Sequence, residues 1–235
     1  MNLTIFRFAI IKGLRNRATL IFNCILPIAL ILVRPMWEDG GIAGGTLTSF
    51  GILLMTMWGG AFLMSQGILN DRASGSIVRI MSAPVTTFDY LTQNLLAYMV
   101  PLTIQIALVS ALGMILYDWN LQFALALFAC YTVFTMSAIA LSFAWNCLFK
   151  KKETSFSSFS ALITFGIFLS GGLIPVEMFP GPLQYAGAVF PAYWAIRGIR
   201  AFSEYGFAFD YFTSLAAMLI MATTCLLYGG KRRIV

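Results

Sequence analysis

The sequence contains no histidine and little charge: 10% of its 235 residues are Asp, Glu, Lys or Arg, and nine residues are acidic. A zinc hydrolase, a haem protein and a serine hydrolase with a histidine base need ligands or bases that this composition does not supply. A soluble domain of this length also needs more charge on its surface. The chain is instead 60% hydrophobic, which predicts an integral membrane protein.

The four cysteines give no sign of a metal site or of redox chemistry. All of them lie inside apolar runs, and none belongs to a Cys-x-x-Cys pair. We interpret them as buried, apolar-like side chains and expect no metal site.

Apolar runs of about twenty residues recur along the chain, and each is long enough to cross a bilayer as a helix. We place six spans at residues 18–36, 47–69, 91–117, 120–148, 155–173 and 208–229. Before them, residues 1–17 carry four basic residues and one apolar stripe, which fits a helix lying at an anionic membrane surface. A basic flank that only sets topology is the alternative. The predicted fold is all-α, with residues 1–235 as one membrane domain.

Basic residues are concentrated on one side of this predicted topology. If both termini are cytoplasmic, that side holds twelve of the fifteen Lys and Arg residues, and the outer side holds Arg34, Arg197 and Arg200. This bias is the positive-inside pattern, so we predict that both termini are cytoplasmic. No charged residue lies in the middle of any span, whereas ion-coupled carriers usually place one there.

Residues 70–84, NDRASGSIVRIMSAP, form a polar segment between the second and third spans. Ile77, Ile80 and Met81 have the spacing of one face of a short helix, which Pro84 would end. Gly75 permits the close approach of another backbone. A short helix with an apolar face and a charged rim suits docking into a groove of a partner protein. An ordinary solvated loop is the alternative.

Residues 170–202 are apolar but interrupted by proline, between the fifth and sixth spans. The four prolines argue against one continuous spanning helix; they are Pro175, Pro180, Pro182 and Pro191. Two short helices that enter from the outer face would account for both features, provided that protein covers the irregular backbone or that it lines a cavity. An extracellular packing loop is the alternative.

These two segments, in this order, resemble those of permease subunits in the type-two ABC exporter family. The first cytoplasmic loop of that family reads acidic–Arg–acidic–x–Gly–Thr, then an apolar-basic helix, then a small residue and Pro. The matching positions are Asp71, Arg72, Gly75, Ser76, Arg79 and Pro84. Ala73 stands where the family often has an acid. The resemblance implies that residues 70–84 are a coupling helix that docks on an ATPase, with one contact weakened or missing at Ala73.

The second segment is similar to the re-entrant hairpin of the same family, which the resemblance places at residues 174–206, with a role as an outer gate. In the family, Gly, Pro and an acidic residue occupy its first half and a later Pro opens its second helix. The residues that fit this scheme, together with the two arginines that follow, are Gly171, Gly172, Pro175, Glu177, Pro180, Pro191, Arg197 and Arg200.

The resemblance implies a permease of the bacterial inner membrane that exports a hydrophobic or amphipathic substrate, such as a drug, an antimicrobial peptide, a lipid or a glycan carrier. The sequence has no G-x-x-x-x-G-K-[ST] motif, so ATP and Mg are expected on two separate ATPase subunits. The chain itself is therefore expected to be no enzyme and to hold no cofactor.

A second permease, identical or paralogous, is expected to complete a dimer surrounded by membrane lipids, without nucleic acid. Two other functions stay open at this point. One is a channel or carrier that works without ATP, and the other is a non-transporting membrane anchor of an ATPase, such as an immunity or sensor component.

Overall fold

The computed structural model describes residues 6, 7, 9–11, 23, 25–38, 45–77 and 86–231. Regular structure in these residues is helical, without a strand, which confirms the all-α prediction. Most of the predicted surface helix at 1–17 and the first half of the predicted span at 18–36 lie outside the described residues.

The helices follow one another with short connections. They are α1 (Leu26–Glu38), α2 (Gly45–Ser65), α3 (Gly67–Ala73), α4 (Thr87–Leu116), α5 (Leu121–Asn146), α6 (Lys152–Leu169), α7 (Gly181–Ala186), α8 (Pro191–Tyr205) and α9 (Phe209–Lys231). Two 3₁₀ turns, Val176–Met178 and Gly187–Val189, flank α7. The amide of Gln66 donates to the carbonyl of Phe62 and the amide of Asn70 to the carbonyl of Gln66, both at 3.1 Å. Helices α2 and α3 therefore form one continuous helix.

Four described segments are long and apolar enough to cross a membrane: Ser49–Ala73, Thr87–Leu116, Leu121–Asn146 and Phe209–Lys231. They agree with the predicted second, third, fourth and sixth spans to within four residues at each end. The predicted fifth span falls on α6, which begins with Lys152 and Glu153 and contains several serines. Its composition is too polar to place it among these four.

Side chains at the N-termini of α4 and α5 explain why these helices begin where they do. The Thr86 hydroxyl accepts a hydrogen bond from the amide of Asp89 (3.1 Å), and the Asp89 carboxylate accepts one from the amide of Thr86 (3.2 Å). This capping box satisfies two amides that the helix itself leaves unpaired. Asn120 caps α5 by accepting from the amide of Phe123 at 2.7 Å.

Helix α5 is central and packs against α2, α4, α8 and α9. Its fully buried Phe134 meets Trp58 of α2 edge to face, with ring centroids 6.0 Å apart, and Trp58 meets Phe159 of α6 in the same way at 6.2 Å. The Tyr211 hydroxyl of α9 donates to the carbonyl of Ala126 at 2.8 Å. Aromatic packing and hydroxyl–carbonyl bonds therefore join the central helix to its neighbours.

Described charged residues from residue 45 onward lie towards the two ends of the bundle. At the end where α4 and α8 finish and α5 and α9 begin, which we call the acidic end, lie Asp118, Glu177, Arg197, Arg200, Glu204 and Asp210. At the opposite end, which we call the basic end, lie Asp71, Arg72, Asp89, Lys150, Lys151, Lys152, Glu153 and Lys231. The acidic end has four acids and two bases, and the basic end has three acids and five bases.

Two glycines bring the backbone of α2 against the segment that follows α6. A Cβ atom at Gly51 would lie 2.0 Å from the carbonyl oxygen of Gly172, and both residues are buried. Backbone atoms rather than flexible side chains occupy this space, so a larger residue has no room.

Replacing Gly51 with Ala is expected to lower the thermal unfolding midpoint in detergent, because overpacking of a buried contact costs about 1–3 kcal/mol. Gly181→Ala is the matched control, since no atom lies within 4 Å of a Cβ at Gly181. Equal midpoints for the two variants would show that the contact does not constrain the fold.

Candidate functional site

Four buried polar residues form a hydrogen-bonded cluster at the basic end, joining α2 to α5 and α6. They are Ser65, Gln66, Asn146 and Ser155, and each is at most 3% exposed. The Asn146 amide nitrogen donates to the Ser65 hydroxyl at 2.7 Å. The Asn146 amide oxygen accepts from the Ser155 hydroxyl at 2.7 Å and from the Gln66 amide at 3.3 Å. One side chain therefore connects three helices.

The predicted coupling residues Asp71 and Arg72 lie beside this cluster, at the end of α3 rather than in a separate loop. The Arg72 guanidinium donates to the carbonyls of Asn146 (3.3 Å) and Phe149 (3.4 Å), which a helix C-terminus leaves without intrahelical partners. The Asp71 carboxylate accepts from the Tyr90 hydroxyl at 2.8 Å. The two charged residues thus hold the end of α3 to α5 and α4.

The chain turns sharply after Arg72. Gly75 has φ of 68°, a conformation that favours glycine, and no atom lies within 4 Å of a Cβ placed there. The hydroxyl groups of Ser74 and Ser76 lie 2.8 Å apart. Space around Gly75 is therefore open within this chain.

One part of the predicted docking face is wrong. Ile77 is 2% exposed and belongs to the chain's own hydrophobic core, so its side chain is not offered to a partner. The other residues of the predicted helix, Ile80, Met81, Arg79 and Pro84, lie outside the described residues.

Sequence reasoning did not find Asn146 and Ser155. The available signal was weak: a polar amide closes the apolar run of α5, and a serine follows nine positions later at the start of α6. Such polar residues at facing helix ends are candidates for a shared hydrogen bond, but their alignment with Ser65 requires the fold.

The prolines of the segment 174–206 stand at the beginnings of its short helices. Pro175 precedes the first 3₁₀ turn, Pro180 is the N-cap of α7, and Pro191 is the first residue of α8. Proline is favoured at such positions because it has no amide hydrogen to leave unpaired.

The junction between α7 and α8 reaches deep along α2. The ring of Phe190, just before α8, lies 6.4 Å from the ring of Trp58, which is seven residues further along α2 than Gly51. Seven helical residues correspond to about 10 Å. The Trp194 indole donates to the carbonyl of Ala188 at 2.9 Å, so the junction is closed by its own hydrogen bond.

Both arginines of this segment form ion pairs near its exposed rim. Arg200 pairs with Glu177 across the segment, and Arg197 pairs with Asp210 at the start of α9 at 3.2 Å. The Arg197 guanidinium also lies 5.6 Å from the centre of the Trp194 ring. The pairs therefore connect the first 3₁₀ turn to α8, and α8 to α9.

Comparison with known proteins gives one family. The family model described as "ABC-2 family transporter protein" matches residues 38–230. No curated protein matches the chain. Among the residues that the structure describes, no group of three potential metal ligands comes together.

Replacing Ser155 with Ala is expected to destabilise the protein by about 1 kcal/mol, because the buried Asn146 amide oxygen then loses a partner on α6. Ser137→Ala is the matched control. Ser137 is also buried, but its hydroxyl donates to the carbonyl of Phe134 on its own helix, at 2.7 Å. Thermal unfolding in detergent should separate the variants, and a larger loss for Ser137→Ala would contradict a bridging role for the cluster.

The ion pair of Glu177 predicts a dependence of stability on pH. The hydrogen bond from Arg200 lowers the pKa of Glu177 below its ordinary value. A group with a lowered folded pKa stabilises the fold above its ordinary pKa, and this contribution disappears as pH falls through the lowered value. Both side chains are partly exposed, so the contribution is at most about 1 kcal/mol.

We therefore expect Glu177→Gln to unfold at a slightly lower temperature than the parent protein at neutral pH, and the two midpoints to converge in acid. Glu153→Gln serves as a control, since Glu153 is exposed and has no ion pair among the described residues. A midpoint difference for Glu177→Gln that stays constant with pH would mean that the carboxylate charge is not involved.

Proposed function

The chain belongs to the ABC-2 transporter family, and on this premise we propose that it is the membrane-spanning permease subunit of an ATP-driven exporter. Family membership carries the transport part of the proposal. A separate ATPase subunit would supply the energy, because the sequence has no P-loop motif. The proposal adds the direction of transport, the coupling segment and the class of substrate.

The distribution of charge supports an orientation with the basic end in the cytoplasm. Cytoplasmic segments of membrane proteins carry an excess of Lys and Arg, and Lys150, Lys151 and Lys152 stand together and exposed at this end. In this orientation both termini lie on the cytoplasmic side of a bacterial inner membrane, and the segment 174–206 faces outwards.

Residues 71–76, with Arg79 and Pro84 further along the chain, are proposed as the contact with the ATPase. A segment that transmits force needs a firm attachment to the spans and an exposed side for its partner. Asp71 and Arg72 provide the attachment to α4 and α5. Ala73 and Ser74 are exposed, so this side is accessible to a docked subunit.

The segment 174–206 is proposed as a re-entrant outer gate. Three observations support this role: the helix-starting prolines, the depth of Phe190 beside Trp58, and the two ion pairs at the rim. Irregular backbone within a membrane must be covered by protein. A Cβ at Gly187 would lie 2.3 Å from the carbonyl oxygen of Leu169, so α6 covers the turn at close range.

An apolar groove supports a hydrophobic or amphipathic substrate. It lies between α1, α2 and α6, has a volume of about 360 Å³, and is lined by residues that include Leu30, Met55, Phe62, Phe156 and Ile163. Methionine and aromatic side chains adapt to varied apolar ligands. We propose that a second permease, identical or paralogous, faces this groove and that two ATPase subunits complete the exporter.

Gly75→Trp combined with Arg79→Glu is expected to reduce co-purification of the ATPase encoded beside this chain, or to abolish the stimulation of its hydrolysis by substrate. A tryptophan at Gly75 projects into space that is open in the permease, where it would obstruct a docked partner. Charge reversal at the rim adds repulsion. Membrane insertion should stay near the parent level, because neither site lies within a predicted span.

Gly206→Trp is a matched control for the strain at Gly75. Gly206 has the same φ of 68° and the same empty surroundings, but it lies at the acidic end. Equal loss of the ATPase from both variants would point to general destabilisation. Full ATPase binding and export by the Gly75 variant would contradict the coupling role, while binding without any export by the parent protein would favour a membrane anchor.

A further inference from the structure

A pocket of about 840 Å³ opens at the acidic end, between α2, the turn joining α4 to α5, and α8. Its apolar wall consists of aromatic rings in mutual contact. The centroids of Trp119 and Phe123 lie 5.2 Å apart, and those of Phe123 and Phe202 lie 6.0 Å apart. Phe50 of α2 completes this wall, 5.8 Å from Trp119. The rings therefore form a continuous surface on one side of the pocket.

The polar wall of the pocket carries an excess of one negative charge. Its charged residues are Glu177, Arg200 and Glu204. Glu177 and Arg200 form an ion pair and neutralise each other. Glu204 is exposed and makes no ion pair with the described residues, so its carboxylate remains available. The surrounding acidic end has the same sign, with four acids and two bases among its described residues.

From this combination we propose that the pocket binds an organic cation with an aromatic or otherwise apolar body. The faces of aromatic rings attract cations through their quadrupole, and the Glu204 carboxylate adds a full charge at the rim. The volume falls within the range of about 300–1,000 Å³ for small-molecule sites. An anion of equal size finds no free cationic partner here, because Arg200 is held by Glu177. The proposal concerns binding to the permease itself and stands apart from its role in export.

Two probes of the same shape and opposite charge test the proposal directly. Tetraphenylphosphonium and tetraphenylborate are each equilibrated by dialysis with the purified permease in detergent, and the saturable, displaceable fraction is measured. The cation should bind saturably and the anion should not. Glu204→Gln should weaken binding of the cation about five-fold, since one contact charge is lost at a wet site. Glu153→Gln, at the basic end, should leave it unchanged.

A second pair of variants tests the aromatic wall. Phe123→Leu keeps an apolar side chain but removes the ring, and should weaken binding of the cation about three-fold. Phe165→Leu changes a 66% exposed ring on α6, outside the pocket, and should have no effect. Equal saturable binding of both ions, or affinity that neither Glu204→Gln nor Phe123→Leu alters, would overturn the proposal. The measurement needs no ATPase, so that result would leave the proposed export function standing.

Discussion

Polar groups buried away from water need partners inside the protein, and at the basic end this requirement is met by one side chain. Apolar contacts alone give helices in lipid little reason to choose one arrangement, because lipid tails are as apolar as the side chains. The Asn146 amide removes that freedom by bonding to residues of α2 and α6 at once. The relative placement of α2, α5 and α6 therefore depends on a few directional hydrogen bonds.

The attachment of the segment after α3 is built on the same arrangement. The Asn146 side chain belongs to the cluster, while its backbone carbonyl accepts from Arg72. The residue that aligns three helices thus also fixes the guanidinium, and Asp71 adds a bond to α4 through Tyr90. The proposed coupling segment and the bundle share one set of contacts rather than meeting at a separate joint.

Local properties of the sequence predicted much of the fold. Hydropathy and length identified four spanning helices to within four residues, and the fixed φ of proline indicated a helix start at Pro191. Orientation about a helix axis was not accessible in this way. The spacing of Ile77 from Ile80 and Met81 defines a shared face, but it does not say whether that face meets the protein or a partner. The cluster at Asn146 joins residues about eighty positions apart, and only the packed helices bring them together.

Gly51 and Arg72 stand on one unbroken helix, twenty-one residues and about 30 Å apart. An α-helix resists compression along its axis, so an axial displacement at one of these residues is delivered at the other. At Gly51 the helix meets the backbone of Gly172 with no side chain between them to yield. The outer segment and the cytoplasm-facing turn proposed above are therefore the two ends of a single stiff rod, and neither can shift along the rod's axis without moving the other.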